Sequence, residues 1–232
     1  MRTTSIVILS IVLFASTNAL TAQDMIRAVN FARMNPLIIR DRIKAKYPNM
    51  DGIGIADPTC YADAIKYLSV QSPRLPLAES ITADLSTWIH SKYCVTVLNK
   101  MRHAGEEGKG IQAKLLDVGY WESCSYAYNE NMAITYKNDT SYTPADEIVM
   151  LWITDCSVQH RGHRTNVFAS YVSHLGCGVF QGPMTTKKGV TMTGTVYTCT
   201  GVRGIALKEE SQAKLAEAGL SLAKNDVEFT GV

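Results

Sequence analysis

Two histidines and two acids carry the chemistry of this chain: His103 beside a run of glycines, Glu130 at the entry to a strand, Asp155 behind a tryptophan-bearing helix, and His163 just after Arg161-Gly162. Two imidazoles and two carboxylates form a donor set for a divalent cation such as Zn, and a carboxylate beside such a cation could activate water. No short metal motif of the His-Glu-x-x-His kind joins them, so the fold must assemble four separate elements. The alternative is a satisfied polar network that only holds loops, because buried acids and imidazoles need hydrogen bonds whatever they do. His160 competes with His163, yet Gly162 before and Asn166 after favour His163. His90, on a helix side, and His174, at a strand start, read as structural or solvated. Nucleophilic hydrolysis has little support: there is no Gly-x-Ser-x-Gly elbow, and the cysteines are expected to be oxidised.

Periodicity and caps outline the elements that must position this set. Asp24 can cap a helix beginning at Met25, and Pro36 must kink that helix or open a second one. Asn30 and Arg33 then sit near the junction, where anchoring the helix is their expected role. Tyr47 to Cys60 reads as loop, and a short helix from Tyr61 to Leu68 follows. Ile81, Leu85, Trp88 and Ile89 have the 3.6-residue spacing of a central helix, about Ala78 to Leu98, with Asp84 and Lys92 off its core face. Gly105, Gly108 and Gly110 mark a loop that delivers a side chain, before a short helix with Leu115 and Leu116.

Asn131 to Tyr136 is a strand candidate, and Thr143-Pro144-Ala145-Asp146 reads as a capping box with proline in the first turn. The helix it opens carries Ile148, Leu151 and Trp152 on one stripe, and Asp155 falls on the same buried face. An acid there must find partners or face a desolvation cost of several kcal/mol, roughly. Leu175 to Gln181 and Val190 to Cys199 form a hairpin. Ile205 to Val232 reads as a tail with a short helix, Glu209 to Ala223. Trp121, Tyr126 and Tyr128 could form an exposed aromatic patch.

The amino terminus has the form of a secretory signal peptide, with Arg2, an apolar run from Ser5 to Ala15, and small residues that allow cutting after Ala19 or Ala22. The run is too short to span a bilayer. Removing 1–22 takes away Arg2 alone among the charges, leaving 22 basic against 21 acidic residues, a net of about +1. That balance gives no electrostatic case for nucleic acid or an anionic membrane as partner. The 6 cysteines, Cys60, Cys94, Cys124, Cys156, Cys177 and Cys199, all follow the signal segment, and an even count in an exported chain argues for disulfides. Asn138-Asp139-Thr140 is a glycosylation acceptor at Asn138.

Taken in order, Asn30-Phe31-Ala32-Arg33-Met34-Asn35-Pro36, Leu75-Pro76-Leu77, Glu130-Asn131-Met132-Ala133, Trp152-Ile153-Thr154-Asp155 and Gly162-His163-Arg164-Thr165-Asn166 resemble successive motifs of the secreted CAP superfamily (cysteine-rich secretory proteins, antigen 5, pathogenesis-related 1), also called SCP-like proteins. The resemblance covers about Met25 to Gly201. It implies an α+β fold, an α-β-α sandwich with a small antiparallel sheet between helix layers, stapled by disulfides. Its central cavity would be lined by His103, Glu130, Asp155 and His163. The domain would span 23–204, between a signal peptide at 1–22 and a short helical tail at 205–232. The chain departs from the pattern at Asp155, where the family often has the longer glutamate.

The family's cysteine pair across its last strands matches Cys177 with Cys199, a bridge worth roughly 3 kcal/mol in the chain-entropy estimate. Of the others, Cys124 and Cys156 flank cavity motifs and are expected to pair, leaving Cys60 with Cys94. The implied function is a secreted, extracellular and monomeric binding module that takes a sterol, a fatty acid or an extracellular protein. Two further classes stand beside it. One is a metal-dependent hydrolase using His103 and His163 as ligands with the acids. The other is a structural interaction module acting through loops near Trp121 or Pro183.

Overall fold

The structure, a computed structural model, describes residues 20–48, 59–122, 124–156 and 158–221. The expected signal peptide up to residue 19, most of the expected loop from Tyr47 to Cys60 and the end of the expected tail lie outside the described residues. In chain order the elements are α1 (Ala22–Met34), α2 (Pro36–Lys46), α3 (Cys60–Val70), β1 (Ala78–Glu79), α4 (Ile81–Tyr93), α5 (Ile111–Leu116), β2 (Gly119–Trp121), β3 (Ala127–Lys137), α6 (Ala145–Thr154), α7 (Gly162–Val167), β4 (His174–Thr185), β5 (Thr191–Arg203), β6 (Ile205–Leu207) and α8 (Ala213–Glu217).

These make an α+β fold in which a four-stranded sheet, ordered β1-β4-β5-β3, lies between helices. The β4–β5 hairpin and the β5–β3 pair are antiparallel, while the short β1 runs parallel to β4. Side chains alternate across the strands. Leu175, Cys177, Tyr197 and Cys199 enter the main core with α1, α3 and α6, whereas Met132 and Val196 pack with Cys94 and Val95 on the α4 side.

α4 does not present the expected apolar stripe to the sheet. Asp84 is fully buried, with Thr87 and Ser91, while Ile89 is exposed and Trp88 half-buried. The cause is Gly176-Cys177-Gly178 on β4. A Cβ added at Gly176 would lie 2.3 Å from the Asp84 nitrogen, and one at Gly178 would lie 2.1 Å from the Trp88 nitrogen. At so close an approach, small and hydrogen-bonding side chains fit the gap. Asp84 accepts the Cys177 N–H at 2.6 Å, and the Ser91 hydroxyl donates to the Gly178 carbonyl at 3.0 Å. Beyond Tyr93 the helix widens into a π-helical turn, Cys94–Leu98, that ends at Asn99 with φ 50°.

Capping differs from expectation at two helices. Thr21, not Asp24, is the N-cap of α1, and Asp24 supplies the reciprocal bond of a capping box. At α6 Pro144 occupies the cap with no side-chain bond, so the box expected at Thr143 does not form. Pro36 opens α2 rather than kinking α1. Asn30 and Arg33 anchor α1: the Asn30 amide pairs with both backbone groups of Leu77, and Arg33 donates to the carbonyls of Leu75, Val167 and Ala169.

Cys177 and Cys199 face each other in the hairpin register and are bonded. The expected pairs Cys124–Cys156 and Cys60–Cys94 do not form: Cys60 bonds Cys156, while Cys94 is buried and free and Cys124 exposed and free. Cys60 opens α3, which packs on α6, and Cys156 lies just past the end of α6, whereas Cys94 sits in the cluster beyond the sheet. The Cys60–Cys156 bridge spans 96 residues, worth about 4–5 kcal/mol by loop entropy. Residues 205–207, expected as the start of a helical tail, form β6, antiparallel to β2. The expected helix from Glu209 is a 3-10 turn, Glu209–Ser211, followed by the short α8, whose Leu215 packs with Leu85 and Val118. Among the described residues no helix is long and apolar enough to cross a membrane.

Candidate functional site

β3 is an outer strand, and the two halves of the site reach it from opposite faces of the sheet. Glu130 turns toward the α4 side, where the loop after α4 brings His103 and α5 brings Lys114. The next residue, Asn131, turns the other way and donates to the His163 carbonyl of α7 at 3.0 Å. The two imidazoles therefore meet beside β3, with ring centroids 6.3 Å apart and planes inclined by 26°.

Each imidazole rests on its own carboxylate. His103 Nδ1 lies 2.9 Å from Glu130 Oε1, and His163 Nδ1 lies 2.7 Å from Asp155 Oδ1. An ionised carboxylate only accepts, so each Nδ1 carries the hydrogen, and in the neutral ring Nε2 keeps its lone pair. The acids lie beneath: both carboxylate side chains are 1% exposed, against 54% for His103 and 19% for His163.

Asp155 does not lie on the buried face of α6 as expected. It is the C-cap, in left-handed conformation at φ 50°, a region that aspartate tolerates better than most residues. From there one short carboxylate bonds both the His163 ring and, at 3.0 Å, the His163 N–H. The turn between α6 and α7 is held by arginines. Arg161 donates to the Asp155 and Val158 carbonyls, and Arg164 to those of Ile153 and Thr154, the open C-terminal carbonyls of α6. Both also reach Asp63 on α3.

Glu130 is the more constrained acid. Lys114 Nζ donates to its Oε2 at 2.6 Å and to the His103 carbonyl at 2.9 Å. Burial alone would raise the Glu130 carboxyl, but the bond from His103 and the Lys114 ammonium outweigh it and hold the pKa below the usual carboxylate range. Lys114 escapes motif reading, yet it carries a signal. Ile111, Lys114 and Leu115 stand at i, i+3 and i+4 of α5, so a lysine occupies the apolar stripe. Asn166, one turn beyond His163, does more than mark that histidine in the sequence. Its amide donates to the Glu130 carbonyl and to Asn131 Oδ1, and Trp152 Nε1 donates to the Met132 carbonyl on the same edge.

Among the described residues, no three His, Cys, Asp or Glu side chains converge as a complete metal-ligand set. The ring nitrogens that the carboxylates leave uncommitted are the two Nε2 atoms, and both carboxylates stand as outer partners that orient the rings. His160 is exposed, His174 bonds Ser173 at the surface, and His90, buried on α4, bonds the Arg102 carbonyl beside His103 rather than joining the imidazole pair. A hollow of about 460 Å³ lies elsewhere, lined by Asn138, Thr140, Gln181, Pro183 and Thr193 among others. Trp121, Tyr126 and Tyr128 stack, with the Trp121 and Tyr126 centroids 4.8 Å apart, but only Tyr126 is exposed: Trp121 and Tyr128 are half-buried against Ala83, Leu115 and Val202. Comparison with known proteins gives no match to a family model, a curated protein or a solved structure.

Proposed function

We propose that this chain is a secreted binding module of the CAP type whose ligand seat is the pair His103 and His163, suited to a divalent cation such as Zn. One observation carries the reading: both imidazoles commit Nδ1 to a buried carboxylate and leave Nε2 without a partner among the described residues. Outer carboxylates of this kind typically contribute 10–100-fold to metal affinity. With two protein donors, a cation would supply Lewis acidity and keep positions open for water or for a donor group from an extracellular partner. The apolar N-terminal run and two disulfides support export.

Hydrolysis is less well supported, because each carboxylate oxygen already has a partner. Glu130 Oε1 and Oε2 accept from His103 and Lys114, and Asp155 Oδ1 and Oδ2 from the His163 ring and N–H. Both acids are also buried beneath the rings, at 1% exposure, away from where water would be activated. A sterol or fatty acid would fit best in an apolar cavity of about 300 Å³ or more, and the hollow of about 460 Å³ sets Asn138, Thr140, Gln181 and Thr193 among Pro183 and Met192.

Calorimetric titration of the secreted protein with zinc tests this reading, alongside His103→Ala and His163→Ala variants checked for folding by circular dichroism. The expected result is one site in the native protein, weakened by at least about tenfold in either variant, with no ester or peptide hydrolysis. An unchanged titration in the double variant would overturn it.

A further inference from the structure

His90 of α4 is 3% exposed, and half of its hydrogen-bonding capacity is unmet. Its Nε2 lies 2.9 Å from the Arg102 carbonyl, which can only accept, so Nε2 carries the hydrogen and Nδ1 the lone pair. Nδ1 is buried and has no partner, a state that costs about 1–3 kcal/mol when nothing fills it. Burial pushes the ring's pKa down to about 4, so the imidazole is neutral near pH 7 and Nδ1 stays an acceptor.

The ring borders a cleft of about 60 Å³ between α4 and the segment leading through α5. Ile89, Tyr93 and Val118 give it apolar walls, and Ser86 adds a hydroxyl. Glu106, Lys114 and the Lys109–Asp117 ion pair, at 3.0 Å, bring two carboxylates and two ammonium groups to the lining.

We propose that this cleft binds a small neutral hydroxylic ligand, a phenol or short alcohol, whose O–H donates to His90 Nδ1 while its carbon skeleton rests on Ile89, Tyr93 and Val118. An unfilled acceptor selects a donor, which disfavours ethers, ketones and hydrocarbons. An ionised carboxylate has no hydrogen to donate to that nitrogen, so an anion such as benzoate is disfavoured as well. The volume is several times the ~10–15 Å³ that one water requires, yet far below the ~300 Å³ of a drug-sized pocket. The cleft shares Lys114 with the His103–Glu130 arm of the imidazole pair, yet it needs no cation.

NMR of the secreted protein tests the assignment, following the Val118 methyls and the His90 Nδ1 shift during titration with phenol, toluene and benzoate. Phenol is expected to move both signals saturably, with toluene and benzoate weaker by at least about tenfold, the worth of one good hydrogen bond. His90→Leu should weaken phenol by a similar factor. If that variant does not fold, the three-ligand series on the native protein decides alone. Phenol binding no tighter than toluene, no saturable shift, or a fixed water on Nδ1 that phenol does not displace would each overturn the proposal.

Discussion

Lys114 Nζ lies 2.6 Å from Glu130 Oε2 and 2.9 Å from the His103 carbonyl, so one buried ammonium ties an acid to the backbone of the histidine that the acid supports. Replacing it strands a carboxylate that is 1% exposed. Lys114→Met should therefore destabilise the fold by about 3–5 kcal/mol in urea unfolding, and should weaken the zinc titration through the loosened His103. Adding Glu130→Gln to that variant should restore part of the stability. A loss below about 1 kcal/mol would mean that the pair is solvated like a surface bridge.

Acid should weaken the protein before most carboxylates titrate. His90 falls to about 4 in the folded chain from an ordinary 6.5, so between those values the unfolded chain binds a proton that the folded chain refuses. Stability then declines as pH drops from 6.5 toward 4, by about 3 kcal/mol in total. Glu130 acts lower: its contribution is whole above the ordinary 4.5 and is lost as pH falls through its depressed folded value. Urea unfolding of the native protein and His90→Gln at about pH 7 and pH 4.5 measures the first effect. The variant should lose less stability across that interval, and equal losses would assign the acid sensitivity to other groups.

The mature amino terminus is expected at Leu20. Of the two cutting points, the one after Ala19 keeps Thr21, whose hydroxyl and N–H both pair with Asp24, and keeps Leu20 packed against the core. Cutting after Ala22 would remove a cap worth ~1 kcal/mol. Amino-terminal sequencing of the secreted protein should begin at Leu20; a start at Gln23 would show that α1 holds without its cap.

Polar residue types exposed the four site residues in the sequence, because two histidines and two acids amid apolar neighbours are conspicuous at any separation. The hairpin was equally plain, since Val190 to Cys199 alternates and glycines bound the turn. α4 misled because its contact with β4 is closed by glycines on the strand, which puts Asp84 and Ser91 inside. An apolar-stripe argument then chooses the wrong face. Cys60–Cys156 depended on the packing of α3 on α6, a tertiary relationship with no local trace. β6 spans only Ile205–Leu207 and exists through its partner β2, so its own residues carry too little pattern to reveal it.

The last strand of a sheet ordinarily offers unpaired backbone groups onto which a passing chain can zip. Along β3 the outward carbonyls of Glu130 and Met132 are already taken by the Asn166 amide and the Trp152 indole. A visiting molecule can therefore engage this rim through side chains, His103 and His163 foremost, but cannot lengthen the sheet there by donating a strand. The same two bonds deny that stretch of β3 to fibril growth, so the margin that displays the imidazoles is also guarded against self-templating.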